Sequence, residues 1–120
     1  MAEHNIKGQK GENLAADFLK SKGYSILETN WRSSNLEVDI IATNEKILVI
    51  AEVKTRKSNF FGEPEEFVNK QKQKNLIKAA NHYVHKYQLD MEVRFDIVSV
   101  ILNDNMSKIN HIEAAFYPLL

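Results

Sequence analysis

Glu37-Val38-Asp39-Ile40-Ile41 and, after a polar turn, Ile47-Leu48-Val49-Ile50-Ala51-Glu52-Val53-Lys54 decide how this chain folds. Both runs are rich in Ile and Val, and Thr43-Asn44-Glu45-Lys46 between them has turn composition, so together they predict a β-hairpin. Acids and a lysine inside such runs are unusual, because unpaired charge is costly to bury. Side chains alternate faces along a strand. Glu37, Asp39 and Ile41 therefore share one face of the first strand, and Leu48, Ile50, Glu52 and Lys54 one face of the second. With Ala42 paired near Ile47, Glu52 is expected across from Glu37 and diagonal to Asp39. Carboxylates and an ammonium then converge at one end of the hairpin.

Such a set suits a hard divalent cation, Mg²⁺ or Mn²⁺. Two neighbouring carboxylates repel when both are ionised, whereas Mg²⁺ accepts them as ligands and keeps its remaining waters. Asp39 and Glu52 are the candidate ligands, with the carbonyl of Val53 completing the shell. Lys54 projects from the same face as Glu52, placed to orient or deprotonate a metal-bound water or to stabilise developing negative charge. That chemistry fits phosphodiester hydrolysis. An ordinary hairpin-end salt bridge of Lys54 with Glu52 or Glu37 fits the same spacing, and spacing alone does not choose between them.

On the N-terminal side, Leu14, Ala15, Phe18 and Leu19 recur at helical spacing between Lys7 and Lys20, and Gly23 is a natural stop. Glu12 falls at the border of that buried stripe, where a first-turn acid also simply complements the helix dipole. Gly8 and Gly11 bracket the helix start and permit close approach of another backbone or a phosphate. Tyr24 to Arg32 predicts a strand, with Trp31 assigned to the core by the area it buries. Ser33-Ser34-Asn35 leads into the hairpin.

Beyond Lys54, Thr55-Arg56-Lys57-Ser58-Asn59 is polar and basic, and Phe60-Phe61-Gly62 reads as loop. Pro64-Glu65-Glu66 is a helix-start signal, and the helical pattern runs through Leu76, Ala80, Tyr83 and Val84 to about Tyr87. Its early part, Asn69 to Asn75, holds Lys70, Lys72 and Lys74 and no acid. Such runs are usually solvated faces, yet with Arg56 and Lys57 this one is the acid-free cluster available to meet phosphates. Val93 to Leu102 alternates as a strand, Asn103-Asp104-Asn105 turns, and Lys108 to Ile112 returns as a short last strand. The apolar tail from Ala114 is expected to dock on the body. His4, His82, His85 and His111 are scattered, without metal-ligand spacing. Helix, three strands, helix, two strands implies one mixed α/β sheet flanked by helices.

The chain has 120 residues, no cysteine, and sixteen basic against sixteen acidic side chains. That size fits a single domain, residues 1–120, with a modest core. Zero net charge excludes a strongly basic architectural nucleic-acid binder, although a local patch still acts locally. Lack of cysteine excludes disulfides and thiolate chemistry and agrees with a reducing cytoplasm. No apolar run approaches the ~20 residues of a membrane span, and the N-terminus lacks a signal-peptide pattern, so a cytoplasmic, non-membrane protein is expected.

An acid, a turn and Glu52-Val53-Lys54 at this spacing resemble the PD-(D/E)xK signature of the restriction endonuclease-like superfamily. More closely, Gly11-Glu12 with Ala15, Gly23-Tyr24, Asn30-Trp31-Arg32, Glu37-x-Asp39, Glu52-Val53-Lys54-x-Arg56, Phe61-Gly62, Lys70 and Arg94-Phe95-Asp96 resemble the YraN-like family of small bacterial proteins. That resemblance spans nearly the whole chain and implies a three-layer fold like that of archaeal Holliday-junction resolvases, in the order αβββαββ. It further implies a metal-dependent nuclease acting on DNA, branched or flapped. Asp39 and Glu52 become metal ligands, Lys54 the catalytic lysine, Glu12 a supporting acid, and Glu37 an outer acid. A nucleic-acid-binding module that keeps the fold without cleavage is the alternative. Resolvase-like folds work as dimers, and Phe116 to Leu120 or the first helix could supply the two-fold contact. In one place the chain departs from the family, with Leu36 standing where a glycine usually precedes the acid pair.

Overall fold

The computed structural model describes residues 3–58 and 68–118. Seven elements follow one another: α1 (Glu3–Ser21), β1 (Ser25–Ser33), β2 (Leu36–Asn44), β3 (Ile47–Arg56), α2 (Lys70–Lys86), β4 (Glu92–Asn103) and β5 (Met106–Phe116). The strands form one sheet in the order β1-β2-β3-β4-β5. β3 and β4 are parallel and the other neighbours antiparallel. A parallel pair needs a crossover, and α2 supplies it.

The layers follow from alternation. Ile41, Leu48, Ile50, Phe95 and Ile97 pack with Leu76, Ala79, Ala80 and Tyr83 of α2. Their neighbours Ile40, Ala42, Val49, Ala51, Val98 and Val100 pack with Ala15 and Leu19 of α1. The central strands are thus apolar on both faces, which is what a sheet covered twice requires. The result is the α/β mixed sheet between helices expected from the order of elements. Trp31 is buried and meets Tyr83 edge to face, ring centroids 5.1 Å apart.

Two expectations are corrected. The β2–β3 turn is tighter than the four residues read from composition: Asn44 pairs Ile47, Glu45 takes φ 52°, and Ala42 therefore faces Val49 rather than Ile47. Every cross-strand partner of β2 moves by two residues as a consequence. The last strand also extends well past Ile112, because Ala114, Ala115 and Phe116 belong to β5 instead of a docked tail, and Phe116 stacks on Phe95 at 5.1 Å. The Phe60-Phe61-Gly62 loop, the Pro64-Glu65-Glu66 helix start and Leu120 lie outside the described residues.

The loop before β2 settles the matter of Leu36. The positive φ sits at Ser34 (56°), and Leu36 pairs with Ser33 as ordinary strand. No glycine is needed where the acid strand begins.

Beneath α1, a second set of buried charges ties β4 to β5. The fully buried Asp96 accepts from Arg94 Nε at 2.9 Å, Arg94 Nη2 at 2.8 Å and the Ala114 N–H at 3.0 Å, and it contacts His111 Nε2 at 2.7 Å. Lys22 Nζ stands 2.8 Å from His111 Nδ1 and Arg94 donates to the Tyr24 hydroxyl at 2.6 Å. An ammonium can only donate, so His111 accepts at Nδ1 and gives its Nε2 proton to Asp96. Burial works against the Asp96 charge, yet His111, Arg94 and the Ala114 N–H outweigh it and hold the carboxyl below its ordinary range. The bulge opposite Asp96 and the positive φ of Ala114 (50°) let β5 wrap this side chain.

Candidate functional site

Asp39 and Glu52 meet at the end of the β2–β3 ladder. The ladder's last pair is Ile40 with Ala51, one step short of the two acids. There the Asp39 side chain takes over from the backbone: its Oδ2 accepts the Val53 N–H at 2.8 Å. The corrected register makes Asp39, not Glu37, the residue opposite Glu52. Both acids continue the side of the sheet that carries Ile41 and Ile50, the side facing α2.

The two carboxyls lie close enough to act on each other, and the charge of one opposes the ionisation of the other. Burial first, and then the adjoining Glu52 carboxylate, push Asp39 up to about 8, against the opposing pull of the Val53 N–H. Glu52 is only 3% exposed. Burial disfavours its charge, but the Asp39 hydrogen bond, Lys72 and Lys54 together hold it below the usual carboxylate range.

Lys72 arrives from the first turn of α2 and sets its Nζ 2.9 Å from Glu52 Oε2. That ammonium meets a buried oxygen that has no other hydrogen-bond partner among the described residues. Its location is telling in terms of helix physics as well. The first turn of α2 contains no acid, and lysines there oppose the helix dipole. Asn69 offsets part of this by capping, its Oδ1 accepting the Lys72 N–H at 2.8 Å. Burial lowers the affinity of the Lys72 ammonium for its proton, but Glu52, Asp39 and Glu37 more than restore it.

Glu12 reaches the same place from α1. Burial raises its pKa, the Asn30 side chain opposes this by hydrogen bonding, and the charges of Glu37 and Glu52 add to the rise. Two local features make that reach possible. Gly11 lies against β3, where a Cβ would overlap Thr55 Oγ1 and stand 3.0 Å from Thr55 Cβ. Asn30 adopts φ 50°, a conformation rare for a side-chain-bearing residue inside a strand. Backbone strain of this kind concentrates at functional sites.

The remaining predicted residues fall around this centre. Lys54 is half-buried, two positions beyond Glu52 on the same strand, and its charge is felt by Glu52. Glu37 turns toward β1, 3.6 Å from Arg32 at an exposed edge, and contributes through its field. Arg56 is half-buried and donates to the Thr55 carbonyl at 3.2 Å, while Lys57, Lys70 and Lys74 are exposed. Lys72, grouped with these lysines by sequence, instead joins the acids. Lys72 and Asn30 are the site residues that sequence reasoning did not assign to the centre. The unfavourable lysine in an uncapped-by-acid first turn was the available signal for one, and nothing local marked the other's side chain.

Residues 11–100 match the model of the Uncharacterised protein family UPF0102. UPF0102 proteins of Flavobacterium psychrophilum and Christiangramia forsetii are 55% and 51% identical over 117 residues, covering 98% of this chain and 98% of each relative. A third, from Bacteroides thetaiotaomicron, is 48% identical over 120 residues, covering 100% of this chain and 99% of its own. The chain belongs to the UPF0102 family. In this UPF0102 protein the matched segment begins at Gly11 and runs through Val100, so it includes Glu12, Asn30, Asp39, Glu52, Lys54, Lys72 and the Arg94–Asp96 pair. No helix among the described residues is long and apolar enough to cross a membrane.

Proposed function

We propose that this UPF0102 protein is a Mg²⁺- or Mn²⁺-dependent nuclease of the restriction endonuclease-like superfamily, hydrolysing phosphodiester bonds of DNA. The observation that carries this reading is the meeting of the Asp39 and Glu52 carboxyls at the end of the β2–β3 ladder, one buried Glu52 oxygen met by the Lys72 ammonium alone, with Lys54 on the same strand. A structural ion pair does not require two carboxyls in contact. A cation site does.

The donor set fits a particular kind of metal. Among the described residues no group of three His, Cys, Asp or Glu side chains could enclose an ion. Mg²⁺ is commonly held by one or two carboxylates and otherwise by water and substrate phosphate, which is what Asp39, Glu52 and the Val53 carbonyl offer. A divalent ion there supplies Lewis-acid activation of a phosphoryl oxygen and acidifies a water. Asp39, once deprotonated, and Glu52 would hold the ion. Lys54 stabilises the negative charge that builds on the scissile phosphate. Glu12, fixed by Asn30, orients water on the α1 side. Arg56, Lys57, Lys70 and Lys74 take flanking phosphates, and the Lys72 ammonium, once a cation neutralises Glu52, would be available to a substrate phosphate. A homodimer that positions two such sites on a branched or flapped DNA extends the same reading.

One feature favours a second reading, a nucleic-acid-binding module without cleavage: the Lys72 ammonium is itself a counter-charge for Glu52. A cleavage panel separates the two. Labelled linear, flapped and four-way DNA, and matching RNA, are incubated with Mg²⁺ or Mn²⁺ and wild-type, Asp39→Asn or Lys54→Ala protein. A nuclease cuts at least one DNA substrate in a metal-dependent manner, and each variant loses about a hundredfold or more, the scale of one electrostatic stabiliser. Equal cutting by all three proteins, or binding with no cutting under any condition, refutes the nuclease reading.

A further inference from the structure

The helix that delivers Lys72 presents a second chemical surface on another side. Over Lys70–Lys86, α2 has five lysines and no acid, although the whole chain is neutral. Lys70, Lys74 and Lys78 are spaced four residues apart, all exposed, and so form one stripe with a step of about 6 Å along the helix. Beside the stripe, just after β5 ends at Phe116, the chain lays Tyr117 and Pro118 alongside α2. Between them is a groove of about 280 Å³ floored by Ile77. The Tyr117 side chain is 72% exposed, the most exposed large hydrophobic residue of the described chain.

An aromatic ring left in solvent next to an acid-free row of ammonium groups has a specific complement. Lysines match the phosphates of a polyanion, and a free π-face with an apolar floor matches a nucleobase. A duplex presents phosphates but keeps its bases stacked inside, so it would use only half of this surface. An acidic peptide would use the charges and leave the ring unfilled. We propose that this groove binds single-stranded nucleic acid, one base stacked on Tyr117 and the backbone along Lys70, Lys74 and Lys78. Lys70 stands two residues before Lys72, whose ammonium touches Glu52, so groove and carboxyl pair share the first turn of α2. The inference rests on the proposed nuclease reading and deepens it: the substrate reaches the site with an unpaired strand.

The test is equilibrium binding in EDTA, where no cutting occurs, by fluorescence anisotropy of the full chain. The probes are a labelled oligothymidylate, an abasic oligonucleotide of equal length, and a duplex of equal length. Wild type binds the oligothymidylate about tenfold more tightly than the abasic strand, the worth of one stacked base. Tyr117→Ala abolishes that difference and Tyr117→Phe retains it. Lys74→Ala with Lys78→Ala lowers the slope of log affinity against log salt by about 1.4, two phosphates at ~0.7 each. Equal affinity for base-containing and abasic strands, no effect of Tyr117→Ala, or tighter binding of the duplex or of polyglutamate overturns the proposal. Because binding is read without metal, failure to find cleavage leaves this result intact, and failure here leaves the cleavage panel intact.

Discussion

Replacing Asp39 by Asn should remove the alkaline sensitivity that the carboxyl pair builds into this fold. The amide oxygen can keep the Val53 N–H and the amide NH₂ can donate to Glu52, so the variant copies the protonated form of Asp39 at every pH. In the wild type, burial and then Glu52 push Asp39 up to about 8 from an ordinary 3.8. The native state therefore holds this proton more tightly than the unfolded chain. Stability from this group is present below pH 4, falls as pH rises, and is gone above about 8. At about 1.4 kcal/mol per unit the full interval corresponds to about 6 kcal/mol. Glu52, held below its ordinary value, acts with the opposite sign at the acid end, and water reaching the half-buried Asp39 screens the remainder, leaving about 2 kcal/mol. For a chain of this length the unfolding entropy is about 0.25 kcal/mol per kelvin, so the variant should melt about 8 °C higher than wild type at pH 9 and nearly with it at pH 5. Circular dichroism melts in EDTA at a series of pH values measure this directly. Melting temperatures that stay parallel from pH 5 to 9, or a variant less stable than wild type at pH 9, would show that the two carboxyls do not act on each other.

Three further perturbations probe the supporting parts. Lys72→Met removes the counter-charge of Glu52 and, since the lysine is 42% exposed and screened, should cost about 1 kcal/mol in EDTA; if the acids bind metal as proposed, the deficit should shrink on adding Mn²⁺, and a deficit unchanged by Mn²⁺ would count against a cation at Glu52. Gly11→Ala gains helix propensity but presses on Thr55, so chemical denaturation should show a net loss of about 1 to 3 kcal/mol, partly recovered by Thr55→Ala, whereas a stabilised Gly11→Ala would mean that α1 does not rest on β3 there. Asp96→Asn leaves Arg94 without its buried partner and should cost about 3 kcal/mol at neutral pH. Because Asp96 is held below its ordinary value, its contribution is present above about pH 4 and lost as pH falls, so wild type and variant should converge in acid.

Much of this protein is legible residue by residue. Ile and Val runs at β2 and β3, the helical stripe of Leu14, Ala15, Phe18 and Leu19, and the turn at Asn103-Asp104-Asn105 are local patterns, and local patterns report elements. Asp39, Glu52 and Lys54 stand out in the sequence because charge inside a strand conflicts with its surroundings, and the conflict is itself the signal. Their mutual geometry was not legible to the same degree. The β2–β3 turn, two residues tighter than its composition suggests, puts Asp39 rather than Glu37 opposite Glu52, since register depends on turn conformation and a shift of two leaves the alternation of faces unchanged. Lys72 looked like its neighbours Lys70 and Lys74 in sequence. Only packing of α2 on the sheet, fixed by Leu76, Ala79, Ala80 and Tyr83, turns Lys72 to the acids and leaves the stripe of Lys70, Lys74 and Lys78 in solvent. Asp96 and His111 likewise lie on different strands, and it is the β4–β5 bulge that joins them. Sequence alone thus determined the elements, their order and the chemical kinds of residue at the centre. Tertiary structure decided which of those residues touch, because contacts between distant segments depend on register and on helix rotation, and neither is encoded locally.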